Sequence, residues 1–168
     1  WVRKNSNKKF DKNGELAKAG KIDKLILNQA IDNFKINSYS QSLDIKNFDV
    51  SFARGLSLED GCATITDFTA YLIAQGLKHI SQKNSIMFLV CGGGRKNINL
   101  INSIKNYLAP DINIDLEIID NYNLNGDYIE SQAFAFLAVR SFLNLPISFK
   151  STTGCKDFTV GGKLVENF

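Results

Sequence analysis

The sequence predicts an α/β domain in which a sheet is flanked by helices, and three observations carry that expectation. The run Ile86-Met87-Phe88-Leu89-Val90 is continuously apolar, as expected of a strand buried on both faces. It ends in Cys91-Gly92-Gly93-Gly94. Beyond the glycines, Ile98, Ile101, Ile104 and Leu108 fall at helical spacing, and Ile112, Ile114, Leu116 and Ile118 then alternate with polar residues. Strand, helix, strand in that order predicts a parallel pair joined by a crossover. Upstream, Leu58, Cys62, Ile65, Thr69, Leu72, Leu77 and Ile80 lay one apolar stripe along a helix.

The other elements follow from shorter signals. Residues 1–20 are polar and turn-rich, with Asn13-Gly14 and Ala19-Gly20, and read as an irregular segment or short hairpin. Ile22, Leu25, Ile26, Ala30, Ile31 and Phe34 predict a helix with Asp23 as its N-cap. Residues 37–55 read as a polar connector pinned by Tyr39, Leu43, Phe48 and Val50. Ser57 with Asp60 three residues later opens the striped helix in the manner of a capping box, and that helix runs to about Ser81. Asn97 caps the helix after the glycines, and Pro110 closes it. Asn125-Gly126 makes a turn, and Asp127 opens a helix carrying Ile129, Ala133, Phe136, Leu137 and Arg140 that Leu145-Pro146 ends. Ser151-Thr152-Thr153-Gly154 reads as a turn and Gly161-Gly162 as the end of a last strand.

Composition excludes several classes. With 44% hydrophobic and 22% charged residues, the 168-residue chain is long and apolar enough for one packed domain, and disorder is not expected. The formal net charge is +3, and the lysines are scattered apart from Lys4, Lys8, Lys9 and Lys12, which reads as a solvated surface and not a nucleic-acid face. Cys62, Cys91 and Cys155 have neither zinc-ligand nor paired spacing, and Cys62 and Cys91 lie in apolar runs that predict burial. Free thiols and the lack of a membrane-length apolar run predict a cytoplasmic protein. The chain opens on Trp1, which suggests a piece of something longer.

The strand-Gly92-Gly93-Gly94-helix element is the sharpest candidate site. Glycines at a strand end let backbone approach a ligand, and amides at a helix start attract an anion or polar edge. Neither the P-loop nor the dinucleotide fingerprint is present, and on the local pattern alone a tight strand-to-helix turn explains the glycines more readily than a ligand does. Glu130, in the first turn of the last long helix, suits the helix dipole and could equally accept hydrogen bonds from sugar hydroxyls. His79, near the end of the striped helix, fits the dipole there, and Arg54 reads as a loop anchor. No metal-ligand set is evident.

Taken in order, Arg54-Gly55-Leu56-Ser57-Leu58-Glu59-Asp60, Ala63-Thr64-Ile65-Thr66-Asp67-Phe68-Thr69-Ala70, Val90-Cys91-Gly92-Gly93-Gly94-Arg95-Lys96-Asn97, Glu130-Ser131-Gln132-Ala133-Phe134-Ala135-Phe136-Leu137-Ala138 and Ser151-Thr152-Thr153-Gly154 resemble the C-terminal half of the anhydro-N-acetylmuramic acid kinases. Trp1, Phe10-Asp11-Lys12-Asn13-Gly14 and Ala17-Lys18-Ala19-Gly20 fit as well, so the resemblance covers nearly the whole chain. Tyr39-Ser40-Gln41-Ser42-Leu43-Asp44 departs from it, standing where the family has a Pro-Pro-Lys-Ser-like stretch.

The resemblance implies the C-terminal domain of an actin-like (ribonuclease H-like) ATPase fold, with residues 1–168 forming the C-terminal part of a two-domain sugar kinase. It implies ATP and magnesium, and a reaction that opens the anhydro ring with water and phosphorylates the 6-hydroxyl in peptidoglycan recycling. Gly92, Gly93, Gly94 and Asn97 then fall on the adenosine side and Glu130 on the sugar. The family's general base, in an Asp-Thr-Gly-Pro-Gly-Asn motif, is expected upstream of Trp1, as is the first phosphate loop, so no catalytic residue is expected within the chain. Two other readings are a non-catalytic remnant of a split or decaying kinase gene and another sugar kinase of the same superfamily. The expected partners are the sugar, ATP and the N-terminal domain, with homodimerisation left open. Without that domain, the chain is expected to associate.

Overall fold

The computed structural model describes residues 1–34, 47–81, 85–109 and 113–166. In chain order the elements are α1 (Val2–Asn5), α2 (Glu15–Ala19), α3 (Lys24–Asn33), α4 (Leu58–Ile80), β1 (Ile86–Val90), α5 (Ile98–Leu108), β2 (Ile114–Ile118), α6 (Ile129–Phe142) and α7 (Lys150–Thr153). Single 3-10 turns at Gly93–Lys96 and Ile119–Tyr122 follow the two strands. Tyr39 and Leu43 of the connector, Pro110 and Ile112 lie outside the described residues.

Local chemistry sets the helix starts. Asp23 accepts a hydrogen bond from the Ile26 amide at 3.0 Å, Ser57 one from the Asp60 amide at 3.0 Å, and Asn97 one from the Leu100 amide at 3.1 Å. Each satisfies an amide that the first helical turn leaves unpaired. Asp60 does not complete a reciprocal box. Its carboxylate accepts from the Lys21 amide at 2.7 Å and so ties the chain after α2 to the start of α4.

Residues 1–20 form no hairpin. Asn13 and Gly14 do take left-handed conformations, with φ of 55° and 73°. The chain then enters α2, because the Asp11 carboxylate accepts from the Leu16 and Ala17 amides at 2.8 and 3.0 Å. The Trp1 indole donates to the Leu58 carbonyl at 3.1 Å and lies against Gly61, where any side chain would collide with its ring.

The two strands pair in parallel, Ile86 opposite Ile114 through Val90 opposite Ile118. α4 and α5 cover one face, where Ala70, Ala74, Ile104, Leu108 and Leu116 form the core, joined by Phe88, Val90 and Leu77. Two alanines on α4 let the helices approach closely. A polar contact crosses the same interface: the Tyr107 hydroxyl donates to buried Asp67 at 2.7 Å, and burial, more than this bond, pushes the Tyr107 phenol up.

The other face of β1 is open, contrary to the two-sided burial its composition predicts. Met87 is 51% exposed and Leu89 44%, since α4 and α5 lie on the opposite side. α6 buries none of its residues, and Phe134, Phe136 and Phe142 are exposed. The tail folds back instead: Arg140 donates to the Pro146 carbonyl at 2.6 Å and stacks over Phe136 and Phe149. Ser148 and Thr159 form a single antiparallel bridge in place of the expected last strand.

Two outcomes follow. Tyr107→Phe should lower unfolding free energy by about 1–3 kcal/mol, because it strands a buried carboxylate. Asp67→Asn, whose carbonyl still accepts the phenol, should cost less. Equal losses in urea unfolding would refute that explanation. With so much apolar surface open, the chain alone should associate at high concentration, and a monodisperse monomer in light scattering would contradict this.

Candidate functional site

Parallel strands put the loops after β1 and β2 at one end of the sheet, where α/β proteins bind ligands. Cys91-Gly92-Gly93-Gly94 leaves β1 there. Gly92 has φ 75° and ψ −178°, a conformation only glycine adopts readily. Its amide donates to the Gly126 carbonyl at 3.0 Å. Gly93 and Gly94 lie in the 3-10 turn without a left-handed φ. A Cβ on Gly93 would meet nothing within 4 Å among the described residues, and one on Gly94 would meet only Leu100 at 3.8 Å, an ordinary contact. Turn geometry therefore requires the first glycine and not the next two.

Arg95 is the electrostatic centre of this end of the sheet, with a side chain only 6% exposed. Its Nε and Nη2 donate to the two Asp120 oxygens at 2.6 and 3.0 Å. Its Nη1 donates to Asp127 at 2.7 Å and to the Gly92 carbonyl at 2.9 Å. Lys96 pairs with the second Asp127 oxygen at 2.6 Å. The Arg95 side chain crosses so close to Gly126 that any Cβ there would collide with it. Arg95 holds the Asp120 carboxyl below the usual carboxylate range, and Arg95 followed by Lys96 brings Asp127 down to about 2. The two aspartates in turn raise Arg95, Asp120 contributing most.

Gly92, Gly93 and Gly94 form the turn, and Asn97 closes it, its side chain spent on capping α5 and packed against Gly14. Glu130 is exposed in the first turn of α6, which begins just beyond the Gly126 and Asp127 that contact the glycine turn. Asp127 is not the N-cap of α6: Tyr128 holds that position without a side-chain bond, and the carboxylate goes to Arg95 and Lys96. Charge-assisted bonds to a buried guanidinium outweigh a capping bond. Cys62 is buried and its thiol pushed up to about 11 by burial, whereas Cys91, at the strand end, is exposed and not buried as its apolar run predicts. His79 lies in the last turn of α4, and Arg54 is exposed.

The sequence reading did not single out Arg95, Asp120 and Asp127 as a group, although an arginine directly after a glycine run, between acidic loops, was a signal of it. Among the described residues no three His, Cys, Asp or Glu side chains cluster as a metal site. Cavities of about 350 and 470 Å³ lie elsewhere, one beside Trp1 and Cys62 and the other beside Phe34 and Phe68. Neither of these cavities is lined by the glycine turn.

A family model described as anhydro-N-acetylmuramic acid kinase matches residues 1–167. The chain belongs to this kinase family. The anhydro-N-acetylmuramic acid kinase of Pelagibacter ubique is 50% identical over 173 residues, covering 100% of this chain and 46% of the relative. That of Zymomonas mobilis is 33% identical over 165 residues, covering 98% and 44%, and that of Rhizobium rhizogenes 35% over 167 residues, covering 99% and 44%. The chain spans less than half the length of these relatives.

The ion-pair geometry has a pH signature. The folded-state value of Asp127 lies below its unfolded value near 3.9. Its pairing therefore stabilises the fold above about pH 4 and is lost as the pH falls through about 2. The Asp127 carboxyl should titrate by NMR near pH 2, and Lys96→Met should raise that midpoint. A midpoint near 4 in the unaltered protein would show that the pairs do not form in solution.

Proposed function

We propose that residues 1–168 are the C-terminal part of a two-domain sugar kinase with an actin-like (ribonuclease H-like) domain. The whole protein would convert anhydro-N-acetylmuramic acid to N-acetylmuramic acid 6-phosphate, using ATP and magnesium, in cytoplasmic peptidoglycan recycling. Water adds at the anomeric carbon as the bond to the ring-bridging oxygen breaks, and the freed 6-oxygen takes the γ-phosphoryl group. ATP supplies that group and leaves as ADP, and bound magnesium would offset the charge on its phosphates. In this reading Gly92, Gly93, Gly94 and Asn97 form the adenosine side and Glu130 accepts hydrogen bonds from the sugar. The general base and the donors around the γ-phosphate come from outside residues 1–168, since a base must reach the attacking water directly.

The observation that carries the reading is Gly93. No described neighbour and no left-handed φ demand glycine there. A ligand lying flat against the turn would call for glycine there, and membership of a kinase family supports reading that ligand as a nucleotide.

The test is to supply the full-length protein with anhydro-N-acetylmuramic acid and magnesium-ATP and look for phosphorylated N-acetylmuramic acid by mass spectrometry. No product, or phosphorylation of a different sugar, refutes the assignment. Gly93→Val should raise the KM for ATP about ten-fold, equivalent to about 1.4 kcal/mol, with little change in melting temperature. Glu130→Ala should raise the KM for the sugar and leave that for ATP in place. The reverse pattern would exchange the two roles.

A further inference from the structure

We infer that Arg95 is a positioning residue that holds the glycine turn against the start of α6, so that the nucleotide-side and sugar-side elements of the proposed site keep one spacing. The inference deepens the kinase reading and rests on it. An arginine beside three glycines invites a role in binding phosphate, but the geometry directs it elsewhere. Its four hydrogen bonds go to protein oxygens, on Asp120, Asp127 and Gly92, and the side chain is almost wholly buried. With Lys96 paired to Asp127, two cations face two carboxylates and the cluster is neutral.

What the cluster joins is more informative. Asp120 lies in the turn after β2, Asp127 at the approach to α6, and Gly92 at the end of β1. Three consecutive glycines are intrinsically loose, since each forfeits more backbone freedom on ordering than any other residue. Here both polar groups of Gly92 are held: its carbonyl by Arg95 at 2.9 Å and its amide by the Gly126 carbonyl at 3.0 Å. Gly126, without a side chain, lets the guanidinium pass directly over the turn that leads to α6. One planar fork thus fixes both the left-handed glycine and the helix carrying Glu130. Lysine keeps the charge but is a single point donor, unable to grip Asp120 in a bidentate way while also reaching Asp127 and Gly92.

The experiment compares Arg95→Lys with the unaltered full-length protein by steady-state kinetics and amide hydrogen exchange. The expected result is a KM for ATP raised on the order of ten-fold, with a smaller rise for the sugar. Exchange should quicken at residues 92–97 and 126–130 while α4 and α5 stay protected. A residue needed only for folding would lower active protein, and so kcat per mole, with both KM values unchanged. If Arg95→Lys does not fold, Asp127→Asn, which alters a partly exposed partner, should show the same pattern more weakly. Unchanged KM values and exchange in an otherwise active kinase overturn the inference. Unaltered protein that turns over no ATP, with exchange still quickened by Arg95→Lys, overturns the kinase reading instead.

Discussion

Two strands that run parallel must deliver their chains to the same end of the sheet, and the site depends on that constraint. β1 and β2 cannot be joined by a tight turn, so α5 makes the crossover and returns the chain to the far edge. The glycine turn, the Asp120 turn and the approach to α6 then converge although 25 and 32 residues separate Arg95 from its two aspartate partners. Packing of α4 and α5 on one face, through Ala70, Ala74, Ile104 and Leu108, makes the convergence rigid. Two strands alone are marginal, so these helices are what lets the sheet present a fixed end.

Charge at that end is consumed internally. Arg95 and Lys96, the only cations in the stretch Cys91 to Asn97, are both committed to aspartates. The glycine turn therefore presents backbone, and not cationic side chains, to whatever lies against it. Backbone suits a polar nucleoside edge better than a triphosphate, whose charge calls for cations. That distinction agrees with the proposed division of labour, in which the adenosine side belongs to this chain and the γ-phosphate donors do not.

Local features were legible in the sequence and distant ones were not. The caps Asp23, Ser57 and Asn97 act on amides three residues away, so spacing alone revealed them. The strand-helix-strand unit showed in periodicity, and α6 began within two residues of the expected start. Asp127 was misread because a carboxylate before a helix has two sorts of partner, and only the fold shows that Arg95 competes for it. Asn13-Gly14 was misread for a similar reason: the left-handed pair formed as expected, but Asp11 captured the next amides for a helix. Within the glycine run, sequence could not say which glycine the turn needs. The structure separates Gly92, needed for its φ, from Gly93, which no described neighbour requires.

The open side of β1 bears on the same question. An apolar run predicts burial on both faces, but Met87 and Leu89 stay about half exposed, with the Tyr122 hydroxyl donating to the Met87 sulfur at 3.0 Å. Cys91, one residue before the glycine turn, is exposed as well. The uncovered face of β1 therefore leads directly into the proposed site. α6, which carries Glu130, is likewise uncovered along Phe134 and Phe136. With so little packing against α6, its position relative to the glycine turn depends heavily on polar bonds at its start. That is the physical reason a buried arginine with four protein acceptors belongs at this point: it supplies through directional bonds the alignment that side-chain packing provides for α4 and α5.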